Sequence, residues 1–421
     1  MKTSEVSGFY KLPPIQRLKE VAEFAGLTEE EQKLMLNTGA LSLDQADRMI
    51  ENVIGAFQLP LGVAVNFLIN GKDYLIPMSI EEPSVVAAAS NAAKIVRKTG
   101  GFFTSNTGPI MKAQVQVVNV KDPFYAKAKI LENKDEIIKI ANVQDPMLIS
   151  LGGGMQDLEV RVIDSIIGPM VVIHLIVNTL DAMGANTVNT MAEAVAPHVE
   201  KLTGGRVYLR ILSNLADRRL VRARTLASKE ALGGEEVVDG MLAAYAFAEA
   251  DPYRAATHNK GIMNGITPVV TATGNDTRAI ESGAHSYAAR SGRYKSLTVW
   301  EKNADGDLVG TLEMPMAVGL VGGATKIHPV AKIAVKILGV KTAVELGEVI
   351  CAVGLAQNLT AIKALATEGI QRGHMELHAR NFAAMAGAGP EIADKVIEIM
   401  VRDKKVRIDY AKELVEKFKQ K

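Results

Sequence analysis

The chain has 421 residues, enough for two or three domains of roughly 150 residues and a sizeable core. Lysine plus arginine (48) almost balances aspartate plus glutamate (47), leaving a formal charge of +1; nucleic acid, which needs clustered positive charge, is not an expected partner. The lone cysteine, Cys351 in GEVICAVGLAQN, excludes an intramolecular disulfide and reads first as a buried structural thiol, with catalysis as the alternative.

The opening residues, MKTSEVSGFYKLPP, carry no apolar core or cleavage signal, and polar groups interrupt every long apolar stretch within roughly 18 residues. A soluble, cytoplasmic chain with no membrane contact is expected. Two capping boxes come next, Thr28 with Glu31 and Ser42 with Gln45. The second precedes a helical face of Ala46, Met49, Ile50, Val53 and Ile54 that Gly55 should stop. β-rich runs at 63–68 and 74–78 lead into EEPSVVAAASNAAKIVRK, an alanine-lined helix with Pro83 in its first turn and Gly100 and Gly101 past its end.

From Met111 the pattern becomes strand, helix, strand, strand, helix, strand. AQVQVVNV alternates, KDPFYAKAKILENKDEIIKIAN has helical spacing, LEVRVI alternates, MVVIHLIV is a buried run, NTVNTMAEAVAPHVEKL is helical and RVYLRIL alternates. That order is the ferredoxin-like βαββαβ arrangement, ending near Leu212. A helix at 237–249, a Gly- and Asn-rich loop at 259–264, a helix after Asp276 and a hairpin around NADGD follow, and helices dominate from His328. The expected fold is α+β: a large mixed α/β domain (1–108 and 216–375), an inserted ferredoxin-like small domain (109–215) and a C-terminal helical flap (376–421).

GLVGGAT and LGGGMQD fit neither GxGxxG nor a P-loop, so a Rossmann domain is not expected. DAMGANTVN (181–189) sets small residues at a helix start after a buried strand, either a pyrophosphate site on helix amides or an ordinary βα turn. Lys260 in THNKGIMNG lacks acidic i±4 neighbours and is either solvated or functional. Asp276 could simply cap a helix, and Glu82 could simply complement a helix dipole. His374 and His378 stand four apart, but without HExxH or paired cysteines no metal site is expected.

Taken in order, these segments resemble the class II hydroxymethylglutaryl-CoA (HMG-CoA) reductases over nearly the whole chain. ENVIG (51–55) resembles the dimerisation motif, PMSIEEPSVVAAAS the segment of the acidic catalytic residue, and DAMGANTVNTMAEAV the dinucleotide-binding segment. THNKGIMNG resembles the catalytic-lysine loop, GNDTRAIE the catalytic-aspartate segment, and GHMELHARN the start of the mobile flap.

The resemblance implies an NAD(P)-dependent oxidoreductase interconverting HMG-CoA with mevalonate and coenzyme A, through a hemithioacetal and mevaldehyde, in mevalonate synthesis or catabolism. It implies Glu82, Lys260, Asp276 and His374 as catalytic residues, and Ser84, Arg254 and Asn264 around the acyl group, with Arg254 suited to a free carboxylate. Asp145, Asp181, Gly184, Ala185, Asn186 and Asn214 fall on the cofactor side. In that scheme Lys260 stabilises the oxyanion and His374 protonates the leaving thiolate. Glu82, with a raised pKa in a closed site, supplies a proton, Asp276 joins Lys260 and Glu82 in one network, and no metal is required. Asp145 beside the adenosine ribose would favour NADH over NADPH by repelling a 2′-phosphate, unless it is only a turn residue before Pro146. A homodimer with sites at its interface, or a hexamer built from it, is implied as well. A non-catalytic acyl-CoA-binding homologue would lack one of the four catalytic residues, and another NAD-dependent hydroxy-acid dehydrogenase is the remaining alternative.

Overall fold

The computed structural model describes residues 3–367 and 369–419, with backbone alone at 370–377 and 419. The described strands are β1 Leu61–Ile69, β2 Lys72–Ser79, β3 Phe102–Asn106, β4 Ile110–Val118, β5 Gly154–Ile163, β6 Met170–Asn178, β7 Arg206–Leu212, β8 Leu220–Ala227, β9 Thr298–Lys302 and β10 Leu308–Pro315. They form a six-stranded sheet, β2-β1-β3-β8-β10-β9, and a four-stranded sheet, β5-β6-β4-β7.

The larger sheet is antiparallel except where β1 meets β3 at Ile69 and Phe102. Neither β3 nor β8 is announced by the sequence. β3 is five residues long behind two glycines, and the charged Arg222 and Arg224 break the apolar signal of β8 while Val221, Ala223 and Thr225 are buried. These two strands are neighbours, paired from Phe102–Thr225 to Asn106–Val221. The chain therefore leaves the large sheet from β3, builds the whole four-stranded sheet and re-enters at β8 beside its point of departure.

The order β5-β6-β4-β7 with antiparallel ladders is that of a ferredoxin-like sheet, as the pattern predicts. The 22-residue helical stretch before β5 is two helices, Pro123–Glu132 and Lys134–Asn142, divided at Asn133. With Ala185–Thr203 they pack on the sheet.

At the centre of the larger unit lies Ala343–Ala366, packed against β3, β8 and β10 and against the helices Val85–Arg97, Glu235–Ala250 and Pro252–Ala272. It is long and apolar enough to cross a membrane by composition, contrary to the expectation that polar groups interrupt every apolar stretch. Two thirds of its most apolar window (67%) is buried inside the protein, the environment of a core helix. Burying a Val, Leu or Ile there contributes about 1.5–3 kcal/mol. Cys351 sits in this helix, fully buried, and burial pushes its thiol well above the usual range, so it is a packing residue.

Both capping boxes are present, Thr28 with Glu31 and Ser42 with Gln45. The second helix is only Leu43–Asp47, however, and Ile50, Ile54 and Phe57 stand 66%, 101% and 93% exposed. Apolar spacing alone does not hold a helix; it needs a surface to bury against, and the described residues of this chain supply none there. Pro83 precedes the cap residue Ser84 and lies outside its helix. The C-terminal helices Ile370–Met385, Pro390–Arg402 and Ile408–Lys419 gather Ala379, Ala383, Val396, Met400, Ala411, Leu414 and Val415 into a core that shares no residue with the main one.

Candidate active site

The segment expected to be a Gly- and Asn-rich loop at 259–264 is the middle of a 21-residue helix, Pro252–Ala272, capped by Asp251. Tertiary packing overrides the poor local propensity of Gly261 and Gly265. A Cβ at Gly265 would fall 2.8 Å from the Val353 carbonyl oxygen, so the glycine lets this helix press against the core helix. Asn259 is fully buried and braces the helix: its amide donates to the Lys295 carbonyl (2.8 Å) and accepts from the Leu297 amide (3.0 Å).

The opposite face presents Lys260 and, one turn on, Asn264. Lys260 Nζ lies 3.0 Å from Glu82 Oε2, and Asn264 Nδ2 lies 3.2 Å from both Glu82 oxygens. Glu82 is delivered by the turn after β2, two residues before Ser84, which caps Val85–Arg97 in the left-handed region at φ 76. A non-glycine residue in that region is uncommon and costs strain, which tends to collect at functional sites. Arg254 is half-buried, its pKa pulled down by burial, and no carboxylate pairs with it among the described residues. His258, one turn along, is buried; burial foremost, and then the Arg254 charge, push its pKa down to about 4. Its Nε2 lies 2.8 Å from the Thr298 hydroxyl, which itself donates to Asn358 Oδ1.

Asp276 does not join this cluster. It caps Thr277–Ala288, accepting from the Arg278 and Ala279 amides at 2.9 and 3.2 Å, and pairs with the Arg278 guanidinium at 3.1 Å. The expected single network of Glu82, Lys260 and Asp276 is absent among the described residues, for a geometric reason. Lys260 and Val270 are separated by about 15 Å of helix, and the chain turns into Asn275 beside the Val270 carbonyl. A helical side chain leans toward its N-terminus, carrying Lys260 further away.

Asp276 instead lines a cleft of about 1130 Å³ together with Gly184, Ala185, Asn186, Thr187 and Asn275. Gly184 caps Ala185–Thr203 at φ 97, with no side chain bonding the first amides, and a Cβ there would strike Thr179 at 2.4 Å. Those open amides, approached closely because residue 184 has no side chain, fit a dinucleotide pyrophosphate. Gly319, Gly322 and Gly323 also line it, in the GLVGGAT segment that no fingerprint flags and that pairs with the turn before Gly184 through the Ala182–Val321 bridge. Asp181 belongs to the same turn, but Oδ1 accepts from the Ala343 amide (2.7 Å), tying the turn to the core helix. Asp145 caps Pro146–Ser150 through Leu148 N (2.9 Å), and its second oxygen lies 3.5 Å from Thr187 Oγ1 at the start of the cleft helix. It is thus a capping residue and a neighbour of the cleft at once. Asn214 lies in the β7–β8 connection, its carbonyl against Gly283, and does not line the cleft. His374 falls within Ile370–Met385, and its side chain lies outside the described residues. The sequence reading overlooks Arg219, a buried arginine behind the cleft, because DRRL looks like a solvated charge run.

The fold matches that of the class II 3-hydroxy-3-methylglutaryl-CoA reductases. The structure of the Streptococcus pneumoniae enzyme bound to NADPH in open conformations is 40% identical, with a TM-score of 0.83, covering 97% of this chain and 100% of that one. The sequence profile of the family described as hydroxymethylglutaryl-coenzyme A reductase matches residues 14–379. The 3-hydroxy-3-methylglutaryl-coenzyme A reductase of Archaeoglobus fulgidus is 64% identical over 417 residues, covering 99% of this chain and 95% of its own length. A probable enzyme of that name from Borreliella burgdorferi is 35% identical over 386 residues, covering 88% of this chain and 86% of its own. The chain belongs to the hydroxymethylglutaryl-coenzyme A reductase family.

Proposed function

We propose that the Lys260–Glu82–Asn264 cluster is where this chain, an NAD(P)H-dependent HMG-CoA reductase, carries out its chemistry, with mevalonate and coenzyme A as the other reactants. The 3.0 Å approach of Lys260 to Glu82 carries this assignment. When bound, the nicotinamide cofactor supplies hydride to the acyl carbon in each of two reductions. Each reduction leaves negative charge on one oxygen, and Lys260 is the cation positioned to stabilise it. Glu82 moves a proton to that oxygen, with Asn264 orienting its carboxylate. Arg254, which has no carboxylate partner among the described residues, pairs with the free carboxylate of the acyl group. Ser84 lies against the acyl group from the helix start beside Glu82. His374, on the helix Ile370–Met385 that leads into the flap of residues 376–421, protonates the expelled thiolate.

Gly184, Ala185 and Asn186 hold the cofactor at the helix start, with Asp181 fixing the turn. The Streptococcus pneumoniae relative binds NADPH; here Asp145 beside Thr187 favours NADH through repulsion of a 2′-phosphate. A homodimer completes the site. Exposed Ile50, Ile54 and Phe57 supply an apolar surface to cover, and the gap between Lys260 and Asp276 is closed if Asp276 enters the site of the partner subunit. The inserted domain spans 109–215, and the enzyme works in the cytoplasm.

The test is absorbance of the reduced nicotinamide band with HMG-CoA, and in reverse with mevalonate and coenzyme A. Turnover in both directions is expected. Binding of HMG-CoA without cofactor oxidation would leave only an acyl-CoA-binding protein.

A further inference from the structure

Arg219 is 2% exposed, on the connection from β7 to β8. Its guanidinium meets no carboxylate among the described residues. Nη1 donates to Thr179 Oγ1 (3.1 Å) and to the carbonyls of Ala182 (3.1 Å) and Met183 (3.3 Å), while Nη2 donates to the Val318 carbonyl (2.5 Å). Burial draws its pKa down to about 10, opposed by the Asp181 charge, so it remains a cation at neutral pH. A buried cation with no direct ion pair pays a desolvation cost that its hydrogen bonds and the nearby Asp181 charge must offset.

Its acceptors sit on two neighbouring segments behind the cleft. Thr179, Ala182 and Met183 belong to the turn that ends in the Ala185–Thr203 helix, and Val318 adjoins Gly319 on a loop that pairs with that turn. The Leu320 amide donates to the Asp181 carbonyl at 2.9 Å, and Ala182 bridges Val321. That turn is strained at Leu180, whose φ of 50 is an outlier for a bulky residue, while Gly184 takes a φ of 97 that glycine adopts freely. Thr179 stands directly behind Gly184 and bonds Arg219, so one side chain couples the guanidinium to the helix cap. The residues just before Arg219 dock the connection onto the four-stranded sheet, Asp217 through Lys112 at 2.7 Å and Arg218 through Glu159.

We propose that Arg219 is a positioning residue for the dinucleotide: it clamps the 179–184 turn to the 316–321 loop, aims the first amides of Ala185–Thr203 at the pyrophosphate, and sets a fixed positive charge behind it. This rests on assigning the 181–186 turn to the cofactor. The buried guanidinium touches no reactant; it acts through the backbone it holds.

Three variants and one control test it. Arg219→Met keeps length and loses every donor, Arg219→Lys keeps the charge and loses the fork, and Thr179→Val keeps shape and loses the acceptor. Gly184→Ala disturbs the turn itself. Cofactor Kd by calorimetry and the KM values for cofactor and HMG-CoA are measured for each. Arg219→Met should raise cofactor KM and Kd by roughly tenfold or more, with HMG-CoA KM within about twofold; Arg219→Lys should recover part of this, and Thr179→Val should give a severalfold rise. If Arg219→Met does not fold, the other two variants decide. Should Gly184→Ala weaken the cofactor while all three merely lower Tm or move both KM values together, Arg219 is packing and the proposal is overturned. Should Gly184→Ala leave cofactor binding intact, the cofactor assignment of the turn fails first, and the proposal with it.

Discussion

Glu82 and Lys260, 178 residues apart in the chain, meet at 3.0 Å, and both are substantially exposed, at 35% and 59% of their side chains. A pair so open to water contributes at most about 1 kcal/mol to stability. It holds little of the fold together, as the catalytic use proposed for it requires.

Lys260→Ala should therefore separate function from folding. Turnover should fall roughly a hundredfold or more, the equivalent of about 3 kcal/mol of oxyanion stabilisation. HMG-CoA should still bind, and urea unfolding should change by less than about 1 kcal/mol. Near-normal kcat would remove Lys260 from the mechanism.

Subunit mixing tests whether Asp276 serves the partner's site. Lys260→Ala and Asp276→Asn are each expected to be nearly inactive. Refolded together, a mixed dimer has one site bearing both lesions and one bearing neither. About half the dimers are mixed and one site in two is intact, so about a quarter of wild-type activity should return. No recovery would mean that both residues act within one chain.

His374→Gln should cripple thioester reduction while sparing reduction of added mevaldehyde, since only the first stage expels a thiolate. Equal losses in both stages would sink the role given to His374.

Asp145 caps a helix as well as neighbouring the cleft, so its charge is best removed without removing the cap. Asparagine caps as well as aspartate. In Asp145→Asn the ratio of kcat/KM for NADH over NADPH should shrink by roughly tenfold, about 1.4 kcal/mol of discrimination. An unchanged ratio would place specificity elsewhere.

His258 gives the fold a pH dependence. Unfolded, an imidazole takes up a proton near pH 6.5; in the fold, burial and Arg254 delay that to about pH 4. Between those values the unfolded chain binds more protons, so the contribution of His258 is full above pH 6.5 and is lost as pH falls toward 4. The gap is worth about 3 kcal/mol. Burial also lowers His174 and His328, so the comparison must be with a variant. From pH 7 to 4.5 the wild type should lose about 2–3 kcal/mol more than His258→Gln in urea unfolding. Parallel losses would acquit His258.

What could be read from the chain was local. The capping boxes bond within four residues, and the βαββαβ order follows from alternation that each strand carries in itself. What escaped depended on distant partners. Gly261 and Gly265 argued for a loop until the core helix supplied a surface only a glycine could approach. Arg222 and Arg224 masked β8, whose buried side is visible only with β3 and β10 alongside. The catalytic candidates are recognisable by motif, yet the resemblance places Asp276 with Lys260, whereas within one chain the length of a helix keeps them apart and Asp276 caps Thr277–Ala288 as its local sequence allows. Arg219 could not be found at all, because nothing in DRRL says that its last arginine is sealed beneath four backbone and hydroxyl oxygens.

The segregated core of the C-terminal helices makes that segment a foldon in its own right. The free energy of unfolding it locally depends on its own apolar contacts, which among the described residues include none from the large sheet. Substitutions at Val396 or Met400 can therefore retune how often this segment opens while leaving the melting of the rest untouched. Amide exchange should register the two as separate clocks.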